Sequence, residues 1–192
     1  MKHLIAVCAG VLACVAPALA QSDLERETQA ARALSAQLVQ QLGATLKAEL
    51  GTIGPEGAIG VCKDAAPTIA GNLSRQSGAK VARVSLRTRN AMLGTPDPWE
   101  QTVLAGFDQR VAAGEKPETM EHAEFVDEPA GRYFRYLKAI PVQPMCLACH
   151  GTADNIPEAV KRKLAADYPN DRATGYAPGQ IRGAVTVKKP LN

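Results

Sequence analysis

The chain has 192 residues, of which 46% are apolar, 4% aromatic and 21% charged, and its formal net charge is +3. This length suits one ordinary domain after removal of an export segment, and the charged fraction is near the globular average, which excludes wholesale disorder. The small net charge, with no block of like charges, argues against nucleic acid as a partner.

The N-terminal residues have the pattern of a secretion signal. Lys2 opens the chain, an apolar run follows from Leu4 to Leu19, and residues 18–20 form the small-x-small pattern of a cleavage site. The run has fewer than about 18 strongly apolar residues and is rich in Ala and Gly, which disfavours a permanent membrane span. Lipid attachment at Cys14 is a further alternative, because the residues before it loosely resemble a lipobox.

We therefore predict a signal peptide at 1–20, a single domain over 21–192, and a periplasmic protein with no membrane span after cleavage. The mature protein would contain three cysteines, at positions 62, 146 and 149. An odd number of cysteines in an oxidising compartment needs an explanation, because one thiol cannot pair within the chain.

The next part of the chain predicts two helices. Residues 23–50 contain few helix breakers, and a leucine recurs every four positions, at 34, 38, 42 and 46, which indicates an amphipathic helix. A second helix is expected from Glu56 to about Leu73, with Cys62 on its apolar face. Pro67 should kink or divide that helix, since proline supplies no donor to the carbonyl four residues back.

A strand is predicted from Val81 to Arg89, because apolar and polar residues alternate with period two. Arg83, Arg87 and Arg89 lie on its polar face together with Ser85.

The remaining elements are a helix and two more strands. A proline-rich turn precedes a short helix that contains Trp99 and Phe107, and residues 133–142 and 183–188 have the composition of strands. Because helices and strands do not alternate along the chain, we predict an α+β fold with an antiparallel sheet.

The segment Cys146-Leu147-Ala148-Cys149-His150 matches the attachment motif of c-type haem. In a tight turn the two thiols face one side, where each can add to a haem vinyl group, and the histidine brings an imidazole beneath the iron. Three alternatives are a redox dithiol, a local disulfide, and a zinc site completed by Cys62 with His122 or His150. We predict one covalently bound haem c with His150 as an iron ligand.

The second iron ligand stays open on spacing alone. No methionine follows His150, which excludes the arrangement of the small soluble electron carriers, and the alternating strand argues against a helical bundle. Cys62 lies on an apolar helix face, where its alternative is a buried structural thiol. The other candidates are Met92, Met120, Met145, a lysine, His122, or no ligand at all. His122 lies in an acidic stretch that we interpret as an exposed loop.

Six segments carry a resemblance to a known family, namely residues 61–70, 83–90, 96–100, 146–151, 168–171 and 175–184. In this order they resemble the single-haem c-type cytochromes of PAS-like fold that were first described beside cyanobacterial photosystem II and occur also as bacterial sensor domains. The resemblance implies an antiparallel sheet with N-terminal helices and the haem motif towards the C-terminus. It also implies iron ligation by His150 and by the thiolate of Cys62.

The chain departs from that family at two places. Residues 91–94 stand where the family tends to have Pro and Asn, and one more residue than expected separates Cys62 from Pro67. Met92 therefore stays an alternative ligand. Arg83, Arg87 and Arg89 are predicted to contact the haem propionates or the thiolate, their alternative being a solvated basic face.

The function expected from these residues and from the resemblance is haem-based redox or gas-ligand sensing. Carbon monoxide or nitric oxide would be the small ligand, and a redox partner or a separate signalling protein would receive the signal. One alternative is a low-potential electron-transfer cytochrome. The other is a haem enzyme of peroxidase or nitrogen-oxide reductase type, which we favour least because the mature chain has only two histidines.

Overall fold

The computed structural model describes the backbone of residues 15–191 and the side chains from Gln21 onward. Most of the predicted signal peptide, including Cys14, therefore lies outside the described residues, and that peptide stays a prediction. Within the described residues, no helix is long and apolar enough to cross a membrane.

The long N-terminal helix is confirmed as α1, Val15–Thr52. One side of it packs on the sheet, where Ala31 and Leu38 join Phe134 and Val185 in the larger core cluster. Of the four leucines that predicted the helix, Leu38 is fully buried and the other three are half-buried. The apolar stripe thus correctly located both the helix and its inner face.

The predicted second helix changes its winding before Pro67 but is not interrupted there, since residues 59–77 are helical throughout. It consists of α2 (Gly54–Gly57), a π-helical turn (Val61–Ala65) and α3 (Ala66–Ser77). Pro67 lies in the first turn of α3, directly after the π turn, a position at which proline is tolerated. Cys62 lies in the π turn, whose hydrogen bond joins the Ala66 N–H to the Val61 carbonyl.

Four antiparallel strands form one sheet in the order β1-β4-β3-β2. They are β1 (Lys80–Val84), β2 (Glu121–Glu128), β3 (Gly131–Pro141) and β4 (Ile181–Pro190). The α+β class with an antiparallel sheet is confirmed, as are the two predicted strands that correspond to β3 and β4.

Two strand predictions need correction. β1 ends at Val84, and residues 85–90 leave the sheet, so the alternation up to Arg89 overstated the strand. The acidic stretch around His122 is not a loop, since β2 begins at Glu121 and pairs with β3 along its whole length. The reason is that β2 is an edge strand with half-buried side chains, so it has no clean apolar face to mark it.

Helices cover both faces of the sheet. α1 and α3 cover one face, and α5 (Pro98–Ala112) covers the other through Leu104 and Phe107. α5 is the predicted short helix, and it begins with a capping box in which Asp97 and Glu100 satisfy each other's backbone N–H groups.

The remaining short helices lie around one end of the sheet. They are α4 (Ala91–Gly94), α6 (Leu147–His150) and α7 (Glu158–Asp167). α7 and the residues before it pack on Ile59 through Ile156, Val160 and Leu164. Cys149 packs against the same cluster, so the Cys-x-x-Cys-His segment lies next to the residues that precede the π turn.

Candidate functional site

The Cys-x-x-Cys-His segment forms a compact turn. A 3₁₀ turn over Pro144–Cys146 leads directly into α6, and the Gly151 N–H closes it by donating to the Leu147 carbonyl at 2.9 Å. Gly151 is required there, because a Cβ at this position would lie 2.6 Å from the same carbonyl oxygen.

The two cysteines of this turn have different neighbours. Cys149 packs against the apolar cluster around Val160, whereas Cys146 packs against Val142 and Tyr176. Burial raises the pKa of the Cys149 thiol. Among the described residues, Cys62, Cys146 and Cys149 are all free thiols.

The imidazole of His150 has a defined tautomer. Its Nδ1 lies 2.6 Å from the Ala173 carbonyl oxygen, and because a carbonyl only accepts, the ring proton is on Nδ1 and the lone pair on Nε2. Burial, followed by the charges of Arg182 and Arg89, lowers the pKa of His150 to about 2. The ring is therefore neutral at all ordinary pH values, which is the form in which histidine binds metals.

A pocket of about 400 Å³ lies between α3, β1, the segment before α4 and the start of β4. Both His150 and Cys62 line it, although 88 residues separate them in the chain. Tyr168 also lines the pocket, and burial together with the nearby Cys62 raises the pKa of its phenol to about 12. The wall is otherwise largely apolar, from side chains such as Val81 and Ile140.

The three predicted arginines are placed differently. Arg83 lines the pocket, half-buried, and its side chain makes no hydrogen bond or ion pair among the described residues. Arg89 also lines it but is buried in an ion pair with Asp171, with Nε and Oδ2 2.9 Å apart. Arg87 lies over the ring of Tyr176, 4.2 Å from its centroid, and lines a second pocket of about 310 Å³ beside Asp108.

Arg182 lines the pocket as well, and the sequence interpretation missed it. Its Nε lies over the edge of the His150 ring, 3.2 Å from Nδ1 and 3.4 Å from Nε2, and its Nη1 donates to Ser85 Oγ at 2.9 Å and to the Arg87 carbonyl at 3.2 Å. It makes no ion pair with a carboxylate among residues 15–191, and burial lowers its pKa. The only available signal was its place inside the matched segment 175–184, because nothing local links it to a residue 32 positions earlier.

The other candidate ligands separate into two groups. Met92 lines the pocket from α4 and is 95% exposed, and a lysine, Lys80, also lines it. His122, Met120 and Met145 do not line the pocket. His122 bonds Glu124 at 3.0 Å on β2, Met120 is fully buried under α5, and Met145 is exposed beside the motif.

A family model for Tll0287-like proteins matches residues 18–190, which is most of the chain. The chain belongs to the Tll0287-like family. Among solved structures it is similar to the crystal structure of the cyanobacterial heme-protein Tll0287, with 27% identity, a TM-score of 0.60, and coverage of 89% of this chain and 96% of that one. The search of the curated proteins found no match. The family expected from the six segments is thereby confirmed.

The pocket of this Tll0287-like protein offers a characteristic set of groups. His150 and Cys62 line it, its walls are largely apolar, and three of the cations that line it have no carboxylate partner among the described residues, namely Lys80, Arg83 and Arg182. Within the described residues, no group of three or more His, Cys, Asp or Glu side chains converges as a metal site. The arrangement suits a flat apolar group that carries its own metal ion and its own carboxylates.

Proposed function

We propose that this protein binds one haem covalently through Cys146 and Cys149, and that His150 and Cys62 would hold its iron. The observation that carries the proposal is that Cys62 and His150 line one pocket, with the motif cysteines on the turn that ends at His150. The similarity to the heme-protein Tll0287 supports it independently of that geometry.

The groups around the pocket fit a haem. His150 is neutral with its Nε2 lone pair unprotonated, so it can bind iron without first losing a proton. Arg83 and Arg182 have no carboxylate partner among the described residues, and haem propionates would supply the missing negative charge. Apolar walls exclude water from the ring, which is one of the factors that set a haem potential.

We further propose that the function is redox or gas-ligand sensing in the periplasm, after cleavage of the signal peptide at 1–20. A haem held by these residues would supply one-electron chemistry and a binding site for diatomic gases such as carbon monoxide or nitric oxide. Cys62 would act as the exchangeable ligand, because a thiolate is deprotonated when it binds ferric iron and binds less strongly when the iron is reduced. A redox partner or signalling protein would read the change.

Low-potential electron transfer is a second candidate. Met92 and Leu93 on α4 line the pocket and are 95% and 56% exposed, so an apolar surface lies directly at its rim. Such a surface suits transient contact with a redox partner. Stopped-flow mixing separates the two functions, because a sensor should bind carbon monoxide with loss of the Cys62 ligand and a carrier should keep both ligands.

Covalent attachment is tested by expressing the full chain in a host with c-type maturation. The colour should stay with the protein after acid–acetone extraction, and the intact mass should exceed that of the mature peptide by one haem. Cys149→Ala should lose most of the stable two-thioether product, because one attachment point is removed. Cys62→Ala is the matched control and should keep full covalent attachment.

Two results would contradict the proposal. One is a colourless protein from a host that matures other c-type cytochromes, and the other is a stoichiometric zinc content. N-terminal sequencing of the same product tests the export prediction, since a start at Gln21 supports cleavage after residue 20 and a lipid-modified start at Cys14 supports the alternative.

A further inference from the structure

The carbonyl that orients His150 belongs to a short loop, residues 171–174, which we call the acceptor loop. Its three successive carbonyl groups, those of Arg172, Ala173 and Thr174, each accept a hydrogen bond from an arginine. Arg89 Nη2 donates to Ala173 at 3.3 Å, and Arg87 donates to Arg172 at 3.3 Å and to Thr174. Two guanidinium groups thus hold every carbonyl of the loop that follows Asp171.

Asp171 completes this arrangement. Its carboxylate pairs with Arg89, with side-chain exposures of 11% and 7%, and it accepts the N–H of Ala173 at 2.8 Å. Arg89 Nη2 also donates to the Cys149 carbonyl at 2.5 Å. Charge-assisted hydrogen bonds of this kind are roughly twice as strong as neutral ones. One buried ion pair therefore fixes the acceptor loop and the Cys-x-x-Cys-His turn relative to each other.

The main chain of His150 and Gly151 is also held by hydrogen bonds. The Tyr176 N–H donates to the His150 carbonyl at 2.9 Å, and the Gly175 N–H donates to the Gly151 carbonyl at 2.6 Å. The Arg172 N–H donates to the Thr88 carbonyl at 2.8 Å, between the two arginines. Both the backbone and the ring of His150 are consequently placed by the stretch that starts at Asp171.

We infer that Arg87, Arg89 and Asp171 are positioning residues that fix the orientation and the hydrogen bond of the His150 imidazole, rather than partners for the carboxylates of a bound group. The inference rests on the proposed role of His150 as an iron ligand. A metal-bound histidine donates its other N–H to a carbonyl or carboxylate, which fixes the ring and raises its basicity as a ligand. Here that carbonyl is itself held by an ion pair, and the propionates are left to Arg83 and Arg182.

The test uses the haem-loaded full chain with Asp171→Asn, which keeps the side-chain size, and with Arg89→Gln. The controls are Asp127→Asn and Arg110→Gln, which change exposed residues of the same types away from the pocket. In the oxidised protein, the solvent exchange of the hyperfine-shifted Nδ1–H of His150 should become about tenfold faster in both test variants, the factor expected from losing one hydrogen bond to a charged group. The electron paramagnetic resonance g-values should shift with the ring orientation, and both controls should behave as wild type.

Each outcome decides the inference. Loaded variants with wild-type Nδ1–H exchange and g-values would overturn it, and so would an equal acceleration of the slow amides of β3 and β4, because that shows a general loss of stability. If Arg89→Gln does not accumulate as loaded protein, the inference is tested with Asp171→Asn instead. The Nδ1–H exchange rate of Arg89→Lys is then expected to lie between the rates of the wild type and of Asp171→Asn. Absence of covalent haem from the wild type would instead contradict the proposed function.

Discussion

The two sides of the pocket are built by different means. On the His150 side, the ring and its main chain are held by hydrogen bonds at 2.6 and 2.9 Å, backed by a buried ion pair. On the opposite side, Cys62 lies in a π turn, and its thiol makes no hydrogen bond among the described residues. One of the two proposed iron ligands is thus fixed by a polar network and the other only by the path of a helix.

This difference has a functional meaning. A ligand held by a complete network stays bound through changes of redox state, whereas a ligand without such support can leave and return at little cost. π turns often occur at functional sites because they present a side chain that a regular helix would turn away. We therefore expect His150 to be the permanent ligand and Cys62 the exchangeable one.

The largest expected effect is that of Cys62→Ser in the haem-loaded protein. A neutral hydroxyl is a poor ligand for ferric iron, so a low-spin spectrum with thiolate g-values should become high-spin, or low-spin with another ligand. The midpoint potential of the wild type should lie well below that of a His/Met cytochrome, because thiolate stabilises ferric iron, and Cys62→Ser should raise it. Optical and electron paramagnetic resonance spectra with potentiometry provide the measurement.

Met92→Ala is the matched control, because Met92 lines the same pocket from the solvent side. It should leave the wild-type spectrum unchanged. If the Cys62→Ser spectrum matches wild type while Met92→Ala changes the spectrum, then methionine is the sixth ligand. The second side of the pocket in this comparison would then be α4 and not the π turn.

A smaller effect is expected from deletion of Ala65, which removes one residue from the π turn and restores regular α-helical spacing between Cys62 and Pro67. If the π turn absorbs one extra residue, its flanks stay in place, so the thiolate spectrum should persist and the free energy of unfolding should change by about 1 kcal/mol. Chemical denaturation and the ferric spectrum measure the two quantities.

Deletion of Asn72, in the regular part of α3, is the comparison for that experiment. Because one residue of an α-helix corresponds to a rotation of about 100°, this deletion turns the rest of the helix out of its packing and should be strongly destabilising. Equal damage from the two deletions would show that the π turn is an essential part of the helix and not an accommodated insertion.

The smallest effect concerns the β2 edge of the sheet, which lies at the end of the strand order opposite β1. The hydrogen bond and charge of Arg32 on α1, together with Tyr136 and Lys138 on β3, hold the pKa of Glu121 below its ordinary value. As the pH falls, the Glu121 carboxylate is therefore protonated in the unfolded chain before it is protonated in the folded chain. The stability that the charged Glu121 contributes is complete above about pH 4.3, and it is lost as the pH falls through the folded-state pKa. The thermal midpoint should fall on acidification, and Glu121→Gln should reduce that dependence. A Glu121→Gln protein with the full wild-type acid response would contradict this.

Strong local patterns were enough to predict much of the fold. The leucine repeat located α1, Pro67 marked the start of α3 although the helix is not interrupted there, and β-branched composition located β4. These signals are local, since each depends on residues within one or two turns or along one strand. The π turn at Cys62 was not predicted, since the sequence showed only one residue more than expected between Cys62 and Pro67.

The parts that could not be predicted depend on distant residues. β2 is a strand because β3 supplies its hydrogen bonds, although its own residues are largely charged. The alternation through Arg89 continued beyond the strand, because Arg87 and Arg89 serve the acceptor loop more than 80 residues later. The contact between Arg182 and His150 also joins residues that are far apart in the sequence. Residue types predicted a cationic pocket, but only the tertiary structure assigns each arginine its partner.

The strand order has a consequence for how the chain acquires its structure. β4 is the last strand in sequence, yet it lies between β1 and β3, and its pairing with β1 joins residues about 100 positions apart, such as Val81 and Val187. Closing so large a loop is slow compared with forming helices. The four-stranded sheet cannot form until β4 has been synthesised. The Cys-x-x-Cys-His segment comes before β4 in the chain. The two motif thiols are therefore presented on an open chain, before packing against α7 encloses Cys149.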